Sequence, residues 1–236
     1  MHKKRRILLK ITGEALLSTQ NHQLSPLLLT AVISQIKELR SSIQFGIVIG
    51  GGNFFRGKEH GKRMGISPSV GHQIGLLATM MNGLVVKDLL EQQALTTALF
   101  SAVSCPEIGI PVSQQAIDHA LEQGCTLVFA GGTGNPFFST DTTAIIRALQ
   151  IEADEVWKAT TIDGVYTADP KQDPHAQRLD TLSFDYALQN KLKIMDATAY
   201  ILASENKQKI RVFSLFEPEA LFKAAQEKNF GSILSS

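Results

Sequence analysis

The chain has 236 residues, 44% hydrophobic and 19% charged, with a formal net charge of +1. That supports one large α/β domain or two small ones with a sizeable core, and excludes global disorder. Near-neutrality argues against a dedicated nucleic-acid binder, so any anion must be held by locally placed cations and amides.

The basic lead-in before Ile7-Leu8-Leu9 resembles a signal peptide only briefly. Lys10 and Glu14 break the apolar run early, and no small-residue cleavage site follows. Residues 6–11 read instead as a first strand buried on both faces. No apolar run approaches membrane-spanning length, so a soluble, cytoplasmic protein is expected. Lys10-Ile11-Thr12-Gly13 falls at the carboxyl end of that strand, where open α/β sheets bind ligands. A strand-end lysine reaching for water fits that one feature equally well. Ser25-Pro26 opens a helix as N-cap and first helical residue, with Leu29, Val32, Ile33, Ile36 and Leu39 on its core face.

Residues 44–50 form a second strand that runs into Gly50-Gly51-Gly52-Asn53-Phe54-Phe55-Arg56-Gly57. Gly52 through Lys58 fits G-x-x-x-x-G-K, but Glu59 stands where a P-loop needs a hydroxyl for the metal, so that motif is rejected. The glycines and Arg56 still suit a phosphate clamp of another geometry. Residues 57–69 read as a polar, mobile loop or lid. Helical spacing resumes at Gly71, with Ile74, Leu77, Met80, Met81, Leu84 and Val85 on one side and both methionines as core filler. His72 is either a ligand contact or a surface histidine.

A strand at 95–102 and a helix at 111–123, ended by Gly124, come next. Cys105 and Cys125 have no metal or redox spacing and read as free thiols in a reducing compartment. The strand at 126–130 leads into Gly131-Gly132-Thr133-Gly134-Asn135-Pro136-Phe137-Phe138-Ser139-Thr140-Asp141, and a helix runs on to 152. Strand, glycine loop and helix start together make a phosphate site, because backbone amides can approach an anion at the positive end of the helix. A tight turn capped by Asp141 is the plainer alternative, but the Asn-Pro-Phe-Phe insert is longer than a turn requires. A strand at 155–159 opens Lys158 to Pro170. The Asp-Gly and Asp-Pro turns there flank Tyr166, which suits either an adenine ring or an ordinary turn. Then follow a polar loop at 171–180, helices at 183–190 and 196–206, a strand at 210–214, a helix at 217–226 and a short strand at 232–234.

Strands alternating with helices predict a single-domain, three-layer α/β/α sandwich around a mostly parallel sheet, with three glycine-rich strand ends on one rim. Two glycine loops with Lys10 and Arg56 suggest two phosphate-bearing groups meeting there. Phosphoryl transfer needs mainly positioning and charge neutralisation, and no spacing supports a Ser-His-Asp or Cys-His set.

The segments ILLKITGEAL (7–16), IVIGGGNFFRG (47–57), GTGNPFFSTD (132–141), KATTIDGVYTADP (158–170) and IMDATA (194–199) resemble the amino acid kinase superfamily, and within it the bacterial uridylate kinases, over nearly the whole chain. The resemblance implies transfer from MgATP to UMP in pyrimidine nucleotide synthesis, by a homohexamer with UTP as feedback inhibitor. It implies an acceptor-binding part over roughly 1–150, an ATP-binding part over roughly 151–236, Mg2+ arriving with ATP, and no resident protein metal site. Lys10, Ile11, Thr12, Gly13, Gly52 and Arg56 would face the ATP phosphates, and Thr160, Tyr166 and Asp169 the adenosine end. Gly51, His72, Thr133, Gly134, Asn135, Pro136, Phe137, Phe138, Ser139 and Thr140 would hold UMP. Lys10, Arg56, Asp141 and Asp196 would serve the reacting centre.

Two departures from the family stand out. Gly71-His72-Gln73 replaces the usual Gly-Asp-His, so an imidazole stands where a carboxylate contacts the ribose. Residues 90–98 hold no basic residue, which predicts weak or absent GTP activation. Two rivals remain: a kinase of the same fold with a carboxylate or carbamate acceptor, and a non-catalytic nucleotide-binding protein, although that last reading predicts loss of Lys10 or Asp141.

Overall fold

The structure is a computed structural model that describes residues 4–16, 25–55, 64–170, 172–192 and 194–236, without the side chains of Glu14 and Leu16. Arg56 and most of the expected 57–69 loop lie outside the described residues. In the described residues the strands are β1 (Arg5–Ile11), β2 (Ile43–Ile49), β3 (Thr97–Ser101), β4 (Ile110–Pro111), β5 (Thr126–Ala130), β6 (Glu155–Thr160), β7 (Val165–Tyr166), β8 (Arg178–Leu179), β9 (Thr181–Ser183), β10 (Ile210–Ser214) and β11 (Ser232–Ser235). The helices are α1 (Pro26–Leu39), α2 (Pro68–Gln92), α3 (Gln114–Glu122), α4 (Thr140–Gln150), α5 (Phe184–Gln189), α6 (Ala197–Glu205) and α7 (Ala220–Gln226).

Nine strands form one sheet in the order β4-β3-β5-β2-β1-β6-β10-β11-β9, while β7 and β8 pair as a separate hairpin. All pairings in the large sheet are parallel except β10 with β11. β1 therefore runs between β2 and β6, and the parallel strands send their carboxyl ends to one rim.

Strand alternation decides which side chains reach which helix layer. Ile7, Leu9 and Ile11 pack with α1, α2 and α7, whereas Leu8 packs with α3, α4, α5 and α6. Lys10 shares the face of Leu8 and so points toward α4. On β6, Trp157 and Ala159 join the first core while Val156 joins the second, which puts Lys158 on the Lys10 face. The register sets Lys10 directly opposite Lys158. At the amino end of β6, buried Glu155 gathers Arg5, Arg211 (3.1 Å) and Trp157 Nε1 (3.2 Å), satisfying a carboxylate that burial would otherwise penalise.

Two expectations need correction. The helix expected from Gly71 starts three residues earlier, at Pro68, with the Ser67 hydroxyl accepting from Val70 N. Its buried residues are Gly71, Ala78, Thr79, Met80, Asn82, Gly83, Val86 and Leu90. Leu77, Met81 and Leu84 are 56%, 47% and 39% exposed, so Met81 is not core filler. Small residues face the sheet because the approach is close: a Cβ on Gly83 would lie 2.9 Å from that of Ala130. At 25 residues and mean hydropathy 1.2, α2 is long and apolar enough to cross a membrane by length and composition, but it packs its small-residue face on β3 and β5. At the other helices the differences are smaller. α3 begins at Gln114 because Ile110–Pro111 pairs with β3 first, and α7 begins at Ala220 after Glu219 at φ +58°.

Candidate active site

The rim of parallel strand ends opens into a cleft of about 500 Å³ lined by Lys10, Thr12, Gly13, the Gly50–Gly52 turn, Thr140, Asp141, Lys158 and Thr160 to Ile162, with Ile194 and Val212 at the side. At its floor the Lys10 and Lys158 ammonium groups flank Asp141, one on each oxygen at 2.8 Å. Asp141 is in the first turn of α4, where the helix N-terminus also favours a carboxylate. Both lysines are nearly sealed, at 4% and 6% exposure.

Burial alone would raise the Asp141 carboxyl, but the two ammonium groups outweigh it and hold its pKa at about 2. Burial is the main cause that brings Lys158 down to about 8; Asp141 opposes this and Lys10 adds to it. With both lysines protonated the trio carries one net positive charge, suited to an anion bound above it. Lys158 also donates to the Ile194 carbonyl.

The glycines here are matters of clearance. A Cβ on Gly13 would fall 2.7 Å from Gly50 O and 2.8 Å from Gly52 N, so the turn after β1 rests directly on the turn after β2. Among the described residues the Thr12 hydroxyl is buried without a hydrogen-bond partner, and it lines the cleft, where it could donate to a phosphate oxygen. Buried polar groups of α2 tie down both glycine loops: Asn82 Nδ2 donates to Gly50 O at 2.7 Å, and Gly131 N donates to Thr79 Oγ1 at 2.9 Å.

A second recess, of about 190 Å³, shares Gly51, Gly52 and Thr140 with the cleft and adds His72, Leu76, Thr79, Gly132 and Phe138. The His72 and Phe137 rings lie 4.8 Å apart at its mouth, and Phe137 takes φ +71°. Within the loop, Thr133 Oγ1 accepts from Asn135 N at 3.2 Å.

The structure thus brings together Lys10, Thr12, Gly13, Gly51, Gly52, Thr140, Asp141 and Thr160 of the expected set, with His72, Phe138 and Gly132 beside them. Asp141 does not cap α4; the Ser139 hydroxyl does, accepting from Asp141 N and Thr142 N. Asp196 is the N-cap of α6, accepting from Ala199 N at 2.9 Å, and its carboxylate also takes the Ser139 and Thr142 hydroxyls. It clasps α4 to α6 and does not line the cleft. Tyr166 and Asp169 stand outside the lining as well; Tyr166 Oη donates to Asp163 at 2.9 Å, and Asp169 accepts from Gln172 at 3.0 Å.

Lys158, Thr79 and Asn82 were not singled out from the sequence. Each has the same signal, a polar residue where strand or helix period calls for an apolar one. Among the described residues no group of three His, Cys, Asp or Glu side chains could hold a metal ion.

The sequence profile of the amino acid kinase family matches residues 5–214. The chain is 42% identical to a uridylate kinase of Mycoplasma genitalium over the full length of both. It is also 42% identical to a uridylate kinase of Vibrio cholerae, across 98% of this chain and 95% of the relative. The crystal structure of UMP kinase from Ureaplasma parvum superposes with a TM-score of 0.93 at 32% identity, covering 99% of this chain and 100% of that one. UMP kinase from Bacillus anthracis gives 0.93 at 27% identity, covering 98% and 96%.

Proposed function

This chain belongs to the amino acid kinase family, and from that premise we propose that it transfers the terminal phosphoryl group of ATP to UMP, giving ADP and UDP. The observation that carries this reading is the Lys10–Asp141–Lys158 set beneath facing glycine turns. A UMP phosphate oxygen forms the new P–O bond while the bond to the oxygen bridging to ADP breaks. Charge then spreads over the transferred group, and two fixed ammonium groups stabilise it without reorganising. Asp141 aims both lysines and keeps them charged.

In this proposal Lys10, the Ile11–Gly13 backbone, the Thr12 hydroxyl, Gly52 and Arg56 take the ATP phosphates. Thr160, Tyr166 and Asp169 serve the adenosine end. Gly51, His72 and residues 133–140 hold UMP, with the imidazole on the ribose. Asp196 acts on the centre by holding the start of α4. Both oxygens of Asp141, the acid in the cleft lining, are committed to lysines, so the residues fit Mg2+ carried on ATP phosphates and water rather than in a protein cage. The ion would supply charge neutralisation on the donor phosphates.

A role in pyrimidine nucleotide synthesis, feedback by UTP and a cytoplasmic setting are part of the proposal; the free Cys105 and Cys125 are in keeping with the last. So is assembly into a homohexamer, supported by the exposed stripe Leu77, Met81 and Leu84 along α2.

ADP release measured with UMP, CMP, dUMP, acetylglutamate and aspartate tests the reading. Turnover that requires UMP is expected. ADP release independent of UMP, or a better rate with either carboxylate, would sink it.

A further inference from the structure

Arg147, two turns into α4, is 6% exposed, yet among the described residues no carboxylate pairs with it. Its guanidinium lies 5.6 Å from the Phe129 ring centroid. Nη1 donates to Gln150 Oε1 and Nη2 to Gly132 O at 3.4 Å, while Nε is buried without an acceptor. A buried cation with no counter-ion is costly, and burial pulls its pKa below the ordinary guanidinium value. A neutral side chain would fill this space at less cost, so the charge calls for a reason beyond packing.

We infer that Arg147 is a positioning residue for the acceptor loop, fixing the Gly132–Thr133 peptide from beneath so that its amide faces the acceptor. This rests on the reading that residues 132–140 hold UMP. Gly131 and Gly132 lie at φ +77° and +58°, and with no side chains they cannot hold their own peptides in place. Gly134 N closes the turn on Gly131 O at 2.9 Å, and the surroundings hold the neighbouring groups. Thr79 takes the Gly131 amide, and Arg147 takes the Gly132 carbonyl. The Gly132–Thr133 peptide is trans, so the Thr133 N–H points opposite to that carbonyl, away from the guanidinium. That N–H donates to no group among the described residues. It is a free donor beside a recess lined by Gly132, Phe138 and Thr140. A charged donor on the carbonyl also polarises the peptide and strengthens the amide as a donor to an acceptor oxygen. Lysine would keep the charge but lose the planar fork that spans Gly132 and Gln150.

The test compares wild type, Arg147→Lys and Gln150→Leu, with KM for each substrate, kcat and melting temperature. The KM for UMP should rise about tenfold in Arg147→Lys and about threefold in Gln150→Leu. The KM for ATP should stay within twofold and kcat within threefold. An unchanged KM for UMP with a lowered melting temperature would make Arg147 merely structural, as would equal rises in both KM values. If Arg147→Lys aggregates, Gln150→Leu decides by the same KM ratio. Wild-type turnover on UMP tests the underlying reading separately: without it both ideas fall, and with it an unmoved UMP KM overturns only the role of Arg147.

Discussion

Replacing Lys158 with methionine should leave the protein folded and nearly inactive. Lys158 is buried beside Asp141 and opposite Lys10, and its ammonium titrates at about 8 instead of 10.5. At ~1.36 kcal/mol per unit, that depression costs the folded state roughly 3 kcal/mol for keeping Lys158 charged. Methionine removes that cost and keeps most of the stem, while Lys10 and Asp141 remain a balanced pair at 2.8 Å. For a chain of this size each kcal/mol moves the melting temperature by ~2–4 °C. Lost contacts to Asp141 and Ile194 offset part of the gain, so the melting temperature should stay within about 5 °C of wild type, or rise. Activity should behave differently. An ammonium about 4 Å from a phosphoryl charge is worth around 4 kcal/mol at an effective dielectric of 20, close to three powers of ten in rate. A coupled ADP-release assay beside thermal unfolding reads both quantities. A variant with more than a tenth of wild-type kcat, or one that melts more than about 10 °C lower, would refute the assignment of Lys158 to the transferred charge.

The same titration gives opposite signs for activity and stability. Lys158 in the free protein is a cation only below about 8, so kcat/KM should fall as pH rises through that value. Between about 8 and 10.5 stability should instead rise with pH, because the unfolded chain still holds a proton that the folded one has released. An alkaline limb of kcat/KM above pH 9.5 would contradict this. Asp141→Asn leaves two buried ammonium groups without a counter-charge, so a fall of about 6–20 °C in melting temperature and at least a hundredfold loss of kcat are expected. In wild type the Asp141 contribution is complete above about 3.8 and disappears as pH falls through about 2, which an acid unfolding series on both proteins would reveal. Gly13→Ala drives a methyl into Gly50 O and Gly52 N, and kcat/KM for ATP should drop at least tenfold; a drop below twofold would mean the turns yield freely. GTP titrated into the initial-rate assay should change the rate less than twofold, since residues 90–98 contain no basic side chain.

Much of this fold is written in local chemistry. The Ser25-Pro26 helix start, the five core residues of α1 and the apolar strands at 126–130 and 210–214 follow from capping and period alone. The same Ser-Pro signature stands at Ser67-Pro68, where the polar stretch before it masked the helix start. Hydrophobic periodicity misses the inward face of α2, because close packing on β3 and β5 selects glycine and alanine over leucine. β7, β8 and β9 are two or three residues long, too short for a period to show, and β9 owes its pairing to the distant β11, so no local pattern marks them. At the site, Lys10 and the glycine turns were legible because sheet topology alone brings them to one rim. Lys158 was not, since its meaning depends on a register that places it across from Lys10.

The strand order has a consequence for the growing chain. β1 is made first, yet its neighbour β6 is about 150 residues away, and β10, which carries Val212 into the cleft wall, is made later still. During synthesis β1 therefore lacks one flank and Asp141 has only Lys10 to pair with. A nascent polypeptide stopped at residue 150 would own the glycine turns and the loop at 131–141 but not Lys158, so it should bind nucleotide poorly and turn over none. Competence should arrive late, once β6 and β10 have joined the sheet.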